Sequence, residues 1–511
     1  MLTFKLTDDR LHLRLVSYTL KGELRDLQGY FKKRQKGYLF NQLYKRKVWD
    51  GYDRFIDKDN KIGVGLWKEI LKFGEKYEYE VHFENLDQLI NLNFTRDQLS
   101  KFASVLLDGT EPQIEVRDYQ LEAAFRAIKY KFCSLELATS AGKTLIFFLY
   151  LSFLKRKGVI NKDKKALIVV PRSGLVSQTA EKFEKDYNTG LMNFTIHCIG
   201  GKNKFNQKKF DQAEIIISTY QSLINMEPSV FAKFSVVGID ECHTSRGASV
   251  RDILVASVNA EYKIGLSGTI KIEEEYSDFF RIQEYLGPLS MVLKSSFLIE
   301  QQHSPDVFIK MIYLDYPPEE PFVKNYLQLR EDGRAGKDMF DAEKGFIIGY
   351  EPRIKFISEF VKKLPGNTLI LFINIKDQYG QRICDSIKEW NEHTYYIDGG
   401  VEDQDRDDYK NVMEKESGVI LVASYGTFST GIDLKNVNHI IFAESYKSEV
   451  TIRQSIGRGM RNLKGKYKVT IYDLIDDLNG YIMNHGQVRE KIYRKEKFIV
   501  SKHRFNLAKF A

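Results

Sequence analysis

The chain has 511 residues, 43% hydrophobic and 13% aromatic, a composition that argues against long disorder and leaves room for about three domains of ordinary size. Its 77 Lys and Arg against 69 Asp and Glu give a formal net charge of +8, a mild basic bias that is compatible with a polyanionic partner without establishing one. The four cysteines, Cys133, Cys198, Cys242 and Cys384, form no CxxC pair, which argues against a zinc site or a disulfide framework and points to a reducing, cytosolic compartment.

The opening Met1-Leu2-Thr3-Phe4-Lys5 does not begin a secretory signal. Residues 1–95 lack the strand–helix alternation seen further on and are expected to form a separate, small α/β domain that binds nucleic acid. Within them Lys32, Lys33, Arg34, Lys36, Lys45, Arg46 and Lys47 are interleaved with Tyr30, Phe31, Tyr38, Phe40, Tyr44 and Trp49. Cations neutralise phosphates without reading sequence, and aromatic faces stack on exposed bases, so Lys32, Lys33 and Arg34 are candidate nucleic-acid contacts. The alternative is a solvated basic surface over an aromatic core. Residues 96–112 read as a polar, helical connection.

An α/β domain is expected over residues 113–300. Its apolar runs are Cys133 to Leu137, Ala166-Leu167-Ile168-Val169-Val170, Ile215-Ile216-Ile217 and Val236-Val237-Gly238-Ile239, each ending in polar or turn residues, as buried parallel strands do. A second α/β domain is expected over residues 301–511, with runs at Thr368 to Phe372, Val419 to Val422, His439 to Phe442 and Lys468 to Tyr472. Pro317-Pro318-Glu319-Glu320-Pro321 breaks regular structure between the two, and residues 325–350 are charged and helical in pattern. The C-terminal cations Arg489, Lys491, Arg494, Lys495, Lys497, Lys502 and Arg504 read as a solvated basic region.

Chemistry is expected at the carboxyl ends of the strands. After Leu137 comes Ala138-Thr139-Ser140-Ala141-Gly142-Lys143-Thr144, and a ten-residue apolar run follows it, too short to span a bilayer and suited to a helix behind a phosphate loop. Gly142 lets the backbone approach phosphates, Lys143 places a cation there, and Thr144 offers a hydroxyl to magnesium. The strict phosphate-loop pattern places a glycine where this chain has Leu137, so by itself the string is equally a plain turn. The strand ending in Asp240-Glu241-Cys242-His243 supplies a metal-holding carboxylate and a second one that can polarise water. Leu266-Ser267-Gly268-Thr269 is a further strand end with small hydroxyl residues. Far downstream, Gln454-Ser455-Ile456-Gly457-Arg458-Gly459-Met460-Arg461 puts two arginines on one helix face, as an arginine clamp requires.

In this order, Gly-Lys-Thr, Asp-Glu-Cys-His, Ser-Gly-Thr and Gln-x-x-Gly-Arg-x-x-Arg resemble the motif series of superfamily 2 helicases, of the DExH-box kind. Arg117-Asp118-Tyr119-Gln120 resembles the adenine-reading element of that superfamily. The family loop often has a second glycine where this chain has Ser140. The Thr139-Ser140-Ala141-Gly142-Lys143 loop, Ala423-Ser424-Tyr425-Gly426, Phe428-Ser429-Thr430-Gly431-Ile432, Leu474-Ile475-Asp476-Asp477 and Trp49-Asp50-Gly51 are similar to the UvsW-type recombination helicases of tailed bacteriophages.

The resemblance implies two tandem RecA-like parallel-sheet domains and ATP with Mg2+ as cofactors. Arg117, Gln120, Ser140, Gly142, Lys143, Thr144, Asp433 and Gln454 would hold the nucleotide, and Thr144 and Asp240 the metal. Lys143, Asp240, Glu241, Arg458 and Arg461 would carry catalysis, Glu241 by orienting or deprotonating water and the arginines by reaching the γ-phosphate. Arg172, Ser173, Gly201, Thr219, Asn374 and Ser424 match segments that grip a nucleic-acid backbone. The implied activity is an ATP-dependent DNA helicase or translocase acting on forks, Holliday junctions and R-loops, the last bringing RNA in RNA–DNA hybrids. It would serve recombination, repair and replication in the cytoplasm, the host's if the chain is phage-encoded, with no membrane partner. The alternatives are an RNA helicase, a restriction-complex motor, or a nucleotide-switched annealing or scaffold protein; a pure switch has no need of Glu241.

Overall fold

The structure, a computed structural model, describes residues 1–201, 203–244, 248–270, 273–375, 377–428, 434, 436–446, 448–459, 468–478 and 480–510. Met1–Leu137 with Ala141–Leu293 form one compact unit, and Ala138–Ser140 with Lys294–Ala511 form a second.

The first unit begins with β1 (Leu2–Leu6), β2 (His12–Ser17), the short hairpin β3 (Lys32–Arg34) and β4 (Tyr52–Arg54), then β5 (Lys61–Gly63) and β6 (Val81–Glu84). Four of these make a mixed sheet in the order β5-β2-β1-β6, in which β1 runs antiparallel to β2 and parallel to β6. The helix Arg96–Leu106, capped by the Thr95 hydroxyl and the Gln98 side chain, occupies the polar connection. Next come β7 (Phe132–Leu137), β8 (Lys165–Val170), β9 (Ile196–Ile199), β10 (Ile215–Thr219), β11 (Phe234–Asp240), β12 (Tyr262–Ser267) and β13 (Leu289–Leu293). They pair in parallel in the order β13-β7-β12-β11-β8-β10-β9. Every residue of β7, β8, β10 and β12 is buried, as expected of strands with helices on both faces.

The small N-terminal sheet shares its core with this parallel sheet: Leu2, Phe4, Leu27 and Phe73 belong to the same cluster as Leu167, Ile216 and Val237. The helix Ser277–Leu286 joins them, its Phe280 ring lying 6.1 Å from Phe31 and 5.5 Å from Phe55.

The second unit holds β14 (Asp306–Asp315), β15 (Thr368–Phe372), β16 (Thr394–Ile397), β17 (Ile420–Ser424), β18 (His439–Phe442), β19 (Lys468–Asp477) and β20 (Ile499–Asn506), parallel in the order β16-β17-β15-β18-β19-β14-β20. Alternate residues feed separate cores on its two faces, Ile370 and Phe372 on one side, Leu369 and Leu371 on the other. The charged segment 325–350 is helical as expected, in Pro321–Glu331 and Lys337–Gly349, the first helix beginning earlier than expected, at the last proline of the breaking stretch. Two all-parallel seven-stranded sheets, each wrapped by helices, make both domains RecA-like.

Of the C-terminal cations, Lys491, Arg494, Lys495, Lys497, Lys502 and Arg504 are exposed, as a solvated region requires, and Arg489 departs from it. Arg489, on the helix Tyr481–Lys495, is buried against Asp473 at 2.8 Å, because a guanidinium is removed from water only with a carboxylate partner. Lys502 and Arg504 lie on β20, and Lys502 and Arg494 both pair with Glu490 while Arg504 pairs with Asp477. Among the described residues no helix is long and apolar enough to cross a membrane.

Candidate nucleotide site and nucleic-acid interface

In the first parallel sheet β7, β12 and β11 are consecutive neighbours, so their carboxyl ends bring the Gly-Lys-Thr loop, Ser267-Gly268-Thr269 and Asp240-Glu241 to one edge. Between β7 and the helix Lys143–Arg156 the chain turns through left-handed backbone at Ser140 (φ 74°) and Gly142 (φ 83°). Glycine suits position 142: besides the positive φ, a Cβ there would lie 2.4 Å from Gln120 Nε2 and displace its amide. The helix begins at Lys143, so its free N–H groups and positive dipole end face the loop.

Gln120 is buried, with both ends of its amide engaged: Nε2 donates to the Ala141 carbonyl at 2.9 Å and Oε1 accepts from the Arg117 N–H at 3.0 Å. The expected adenine reader is thereby tied to the loop that would cradle phosphates. Arg117 Nη1 donates to the Tyr119 hydroxyl at 3.0 Å.

Lys143 Nζ donates to Glu241 Oε1 at 2.6 Å. The other carboxylate oxygen of Glu241 accepts from Ser267 Oγ at 3.3 Å and lies 3.2 Å from His243 Nδ1, and that nitrogen is 2.8 Å from Ser267 Oγ. Ser267 Oγ also accepts from the Thr269 N–H at 3.1 Å. Glu241 sits in left-handed backbone (φ 51°), a conformation costing a non-glycine residue about 1–3 kcal/mol and characteristic of functional positions. Its N–H donates to Asp240 Oδ1 at 3.0 Å.

Burial pushes the Asp240 carboxyl up, and although Lys143 opposes this, the neighbouring Glu241 charge adds to it, leaving Asp240 above the usual carboxylate range. Burial pushes Glu241 up as well, but Lys143 and His243 outweigh it and hold Glu241 well below that range. Lys143, pushed down by burial, ends above its ordinary value because Glu241 and Asp240 face it. Glu241 is therefore a carboxylate at neutral pH, fixed by three neighbours.

Among the described residues no cluster of three His, Cys, Asp or Glu side chains could hold a metal by itself. The donor set at the strand edge suits magnesium bound with a nucleotide, since Thr144 and Asp240 offer hard oxygen ligands and magnesium takes the rest from phosphates and water.

On the other half of this sheet β8, β10 and β9 are neighbours, and their carboxyl ends gather Arg172, Ser173, Thr219 and Gly201. A Cβ on Gly201 would lie 3.0 Å from Ser173 Cβ, so the two segments touch. Arg172 and Ser173 are exposed, whereas Thr219 is buried and its hydroxyl caps the Ser222 N–H at 3.3 Å.

In the second unit Asn374 follows β15 and Ser424 ends the adjacent β17. The Glu444 carboxylate accepts from the N–H groups of Ile373 and Asn374, both at 2.7 Å, and holds the Asn374 loop. Ser424 Oγ donates to Thr427 Oγ1 at 2.8 Å inside the domain. Gln454 and Arg458 lie four apart on the helix Glu449–Gly459. Asp433 and Arg461 lie outside the described residues, as does the placement of the Arg458 side chain.

Lys32, Lys33 and Arg34 on β3 find aromatic and acidic partners within their own unit. Lys32 lies 4.4 Å from the Tyr52 ring and 3.3 Å from Asp50. Lys33 is held between the Tyr30 and Phe280 rings at 4.4 and 4.5 Å, and burial lowers its pKa. Arg34 donates to the Tyr38 and Tyr52 hydroxyls. The interleaved aromatics thus stack on these cations within the domain.

The sequence reading named neither Ser267 and His243 as partners of Glu241 nor Glu444 as the brace of Asn374. The closeness of the first two follows from β11 and β12 being neighbours, which no local string reveals.

Comparison with known proteins agrees with this geometry. Residues 19–84 match the family "DNA helicase UvsW, N-terminal", residues 113–272 match "Type III restriction enzyme, res subunit" and residues 352–462 match "Helicase conserved C-terminal domain". The ATP-dependent DNA helicase UvsW of Enterobacteria phage T4 is 30% identical over 497 residues, covering 93% of this chain and 94% of the phage protein. The chain belongs to the UvsW family of superfamily 2 helicases. The crystal structure of T4 UvsW covers 99% of both chains with a TM-score of 0.50 at 27% identity. The DNA 3'-5' translocase XPB2 of Sulfurisphaera tokodaii is 23% identical, covering 68% of this chain and 79% of its own. A fragment of a type I restriction HsdR subunit from Vibrio vulnificus, at 17% identity and a TM-score of 0.53, covers 76% of this chain and shares the fold. As a UvsW-family member the chain is a nucleotide-using enzyme that acts on nucleic acid.

Proposed function

We propose that the chain is an ATP-dependent DNA helicase or translocase that remodels branched DNA: forks, Holliday junctions and R-loops. The observation that carries its ATP-driven chemistry is the Lys143–Glu241 pair, a cation at the head of the phosphate-loop helix touching a carboxylate that stays ionised beside a metal-suited Asp240, while the UvsW relationship is what supports branched DNA. Lys143 holds the β- and γ-phosphates, Gln120 and Arg117 the adenine side, and Thr144 and Asp240 the magnesium. Magnesium, held there, would supply a point charge that neutralises phosphate oxygens. Glu241 orients or deprotonates the attacking water, with Ser267 and His243 fixing its second oxygen. Arg458 and Arg461 stabilise the transferring phosphate. Arg172, Ser173 and Asn374 grip the DNA backbone.

The full-length similarity to a DNA helicase, N-terminal domain included, favours DNA over the RNA-helicase reading. A nucleotide-switched scaffold would have no use for a strained, ionised Glu241 against the phosphate-loop lysine. The deciding experiment is strand separation on a forked DNA, a four-way junction, a plain duplex and an RNA–DNA hybrid, with and without ATP. The reading expects ATP-dependent opening, fastest on the branched substrates. Equal rates on a plain duplex would remove branched DNA from it, and junction binding with no ATP turnover would favour the scaffold.

A further inference from the structure

The hairpin β3–β4 carries at its end a loop over residues 35–51 that leaves four large apolar side chains in water: Phe40 is 80% exposed, Val48 73%, Leu39 55% and Leu43 51%. Lone exposed apolar residues are ordinary, but four within ten positions on one small projection are not. Lys45, Arg46 and Lys47 are exposed beside them.

The loop is held in one shape from within. The Tyr38 and Tyr44 rings meet edge to face at 4.8 Å, and Tyr38 packs so closely on Gly51 that a Cβ there would lie 2.8 Å from its ring. The Asn41 side chain caps the Leu43 N–H at 2.9 Å, the Val48 N–H returns to the Leu43 carbonyl at 2.9 Å, and the Trp49 indole N–H donates to the Tyr52 carbonyl at 2.9 Å. Its base is fixed to the first parallel-sheet domain by Lys36–Glu273 at 2.6 Å, Asp53–Arg281 at 2.6 Å and the Phe31–Phe280–Phe55 cluster. An apolar tip that burial would favour is thus braced against that domain.

We propose that this tip is a strand-separating wedge: Phe40 and Leu39 press on the last base pair at a branch point, while Lys45, Arg46 and Lys47 take the phosphates of the parting strands. Apolar side chains unstack base steps in this way in many DNA-bending proteins, and flanking cations supply affinity without sequence preference. The charge selects the occupant, because an apolar protein surface would gain nothing from three adjacent cations, whereas a duplex end offers stacked bases flanked by phosphates. A wedge does mechanical work only if anchored to the motor, and the contacts at Glu273, Phe280 and Arg281 provide that anchor.

The inference rests on the branched-DNA reading, and its test separates the two. The measurement is base pairs opened per ATP hydrolysed on a forked duplex, for the wild-type chain and for Leu39→Ser/Phe40→Ser, together with the fluorescence of 2-aminopurine placed at the fork's first pair and read on binding without ATP. The wedge expects the ratio to fall about tenfold in the variant, in the range seen when an aromatic base-stacking contact is removed. It also expects 2-aminopurine to brighten with the wild type and not with the variant. An unchanged ratio, or a pair that stays stacked with the wild type, overturns it. Concentration-dependent self-association that the variant abolishes would also overturn it, since the tip would then be a surface between copies of this chain. If the wild type opens no branched substrate, the branched-DNA reading is what has failed.

Discussion

Lys143 and Glu241 form a 2.6 Å ion pair across the carboxyl ends of β7 and β11. Each holds the other in its charged form, and the phosphates of ATP would compete with Glu241 for Lys143. On the proposed reading, nucleotide entry would exchange a carboxylate for phosphate at Lys143 and turn Glu241 toward water.

The first prediction follows from that exchange. Lys143→Ala removes the phosphate partner and should abolish ATP binding and turnover together. Glu241→Gln removes only the competing charge, so it should bind ATP at least as tightly as the wild type while losing turnover by about 100-fold or more, as removal of a positioned general base does. Equilibrium binding of a fluorescent ATP analogue beside steady-state turnover reads both quantities. Wild-type hydrolysis by Glu241→Gln would end its assignment as the base.

Much of this was legible in the sequence because buried parallel strands announce themselves. Thr368–Phe372 and His439–Phe442 were expected at their observed bounds, being short runs with no polar interruption. The strand β20 was missed because Ile499–Asn506 lies at a sheet edge with most of its side chains in water, so Ser501, Lys502, His503 and Arg504 carry no apolar signal. Arg489 was misread for the converse reason: a charge run says nothing about Asp473, 16 positions upstream, which buries one member of it. At the site, residue types and order gave Lys143, Asp240 and Glu241, but the Ser267 and His243 contacts needed the pairing of β11 with β12.

The second prediction concerns Lys263, which lies fully buried on β12 with its ammonium 2.8 Å from the Leu254 carbonyl and over the Phe132 ring. Burial, only partly opposed by Asp9, lowers its pKa to about 7 from an ordinary 10.5. Between those values the unfolded chain binds a proton that the folded chain does not, so stability rises with pH across that window, and the penalty for charging the buried lysine is present in full below pH about 7. Lys263→Met should flatten this dependence and raise stability at neutral pH by about 1–4 kcal/mol, as replacing a buried charge by a well-packed apolar group does. Urea unfolding across pH 6.5 to about 9.5 measures it; the same slope in both proteins would mean that Lys263 does not titrate in that range.

The third prediction concerns the core of the second unit. Arg353 and Asp476 are both buried, with Nε donating to Oδ1 at 2.6 Å and Nη2 to Oδ2 at 2.9 Å, while the Tyr316 hydroxyl donates to Oδ1 at 2.7 Å. Either single change, Arg353→Met or Asp476→Leu, leaves an unpaired buried charge and should cost about 3–5 kcal/mol, whereas the double variant should cost less than the sum of the two. Thermal unfolding of the four proteins completes the cycle. Additive losses would show that the pair is not coupled.

The fourth prediction tests how the N-terminal domain is joined to the first parallel-sheet domain. Gly65 packs so tightly on the helix Ser277–Leu286 that a Cβ there would lie 1.8 Å from the Gln283 carbonyl oxygen and 2.7 Å from the Gly287 nitrogen. Both are backbone atoms, so no rotamer change relieves the clash and the two layers must part. Gly65→Ala should therefore destabilise the first unit by about 1–3 kcal/mol, the usual cost of overpacking, and expose the connection around Arg96–Leu106 to protease. Gly22→Ala is the control: nothing lies within 4 Å of its added Cβ, and in a helix the change should be neutral or slightly favourable. Because the wedge acts only while braced, Gly65→Ala should also lower the base pairs opened per ATP, in parallel with its loss of docking. If Gly65→Ala melts and is cleaved like the wild type, the close packing on Gln283 is not what holds these domains together.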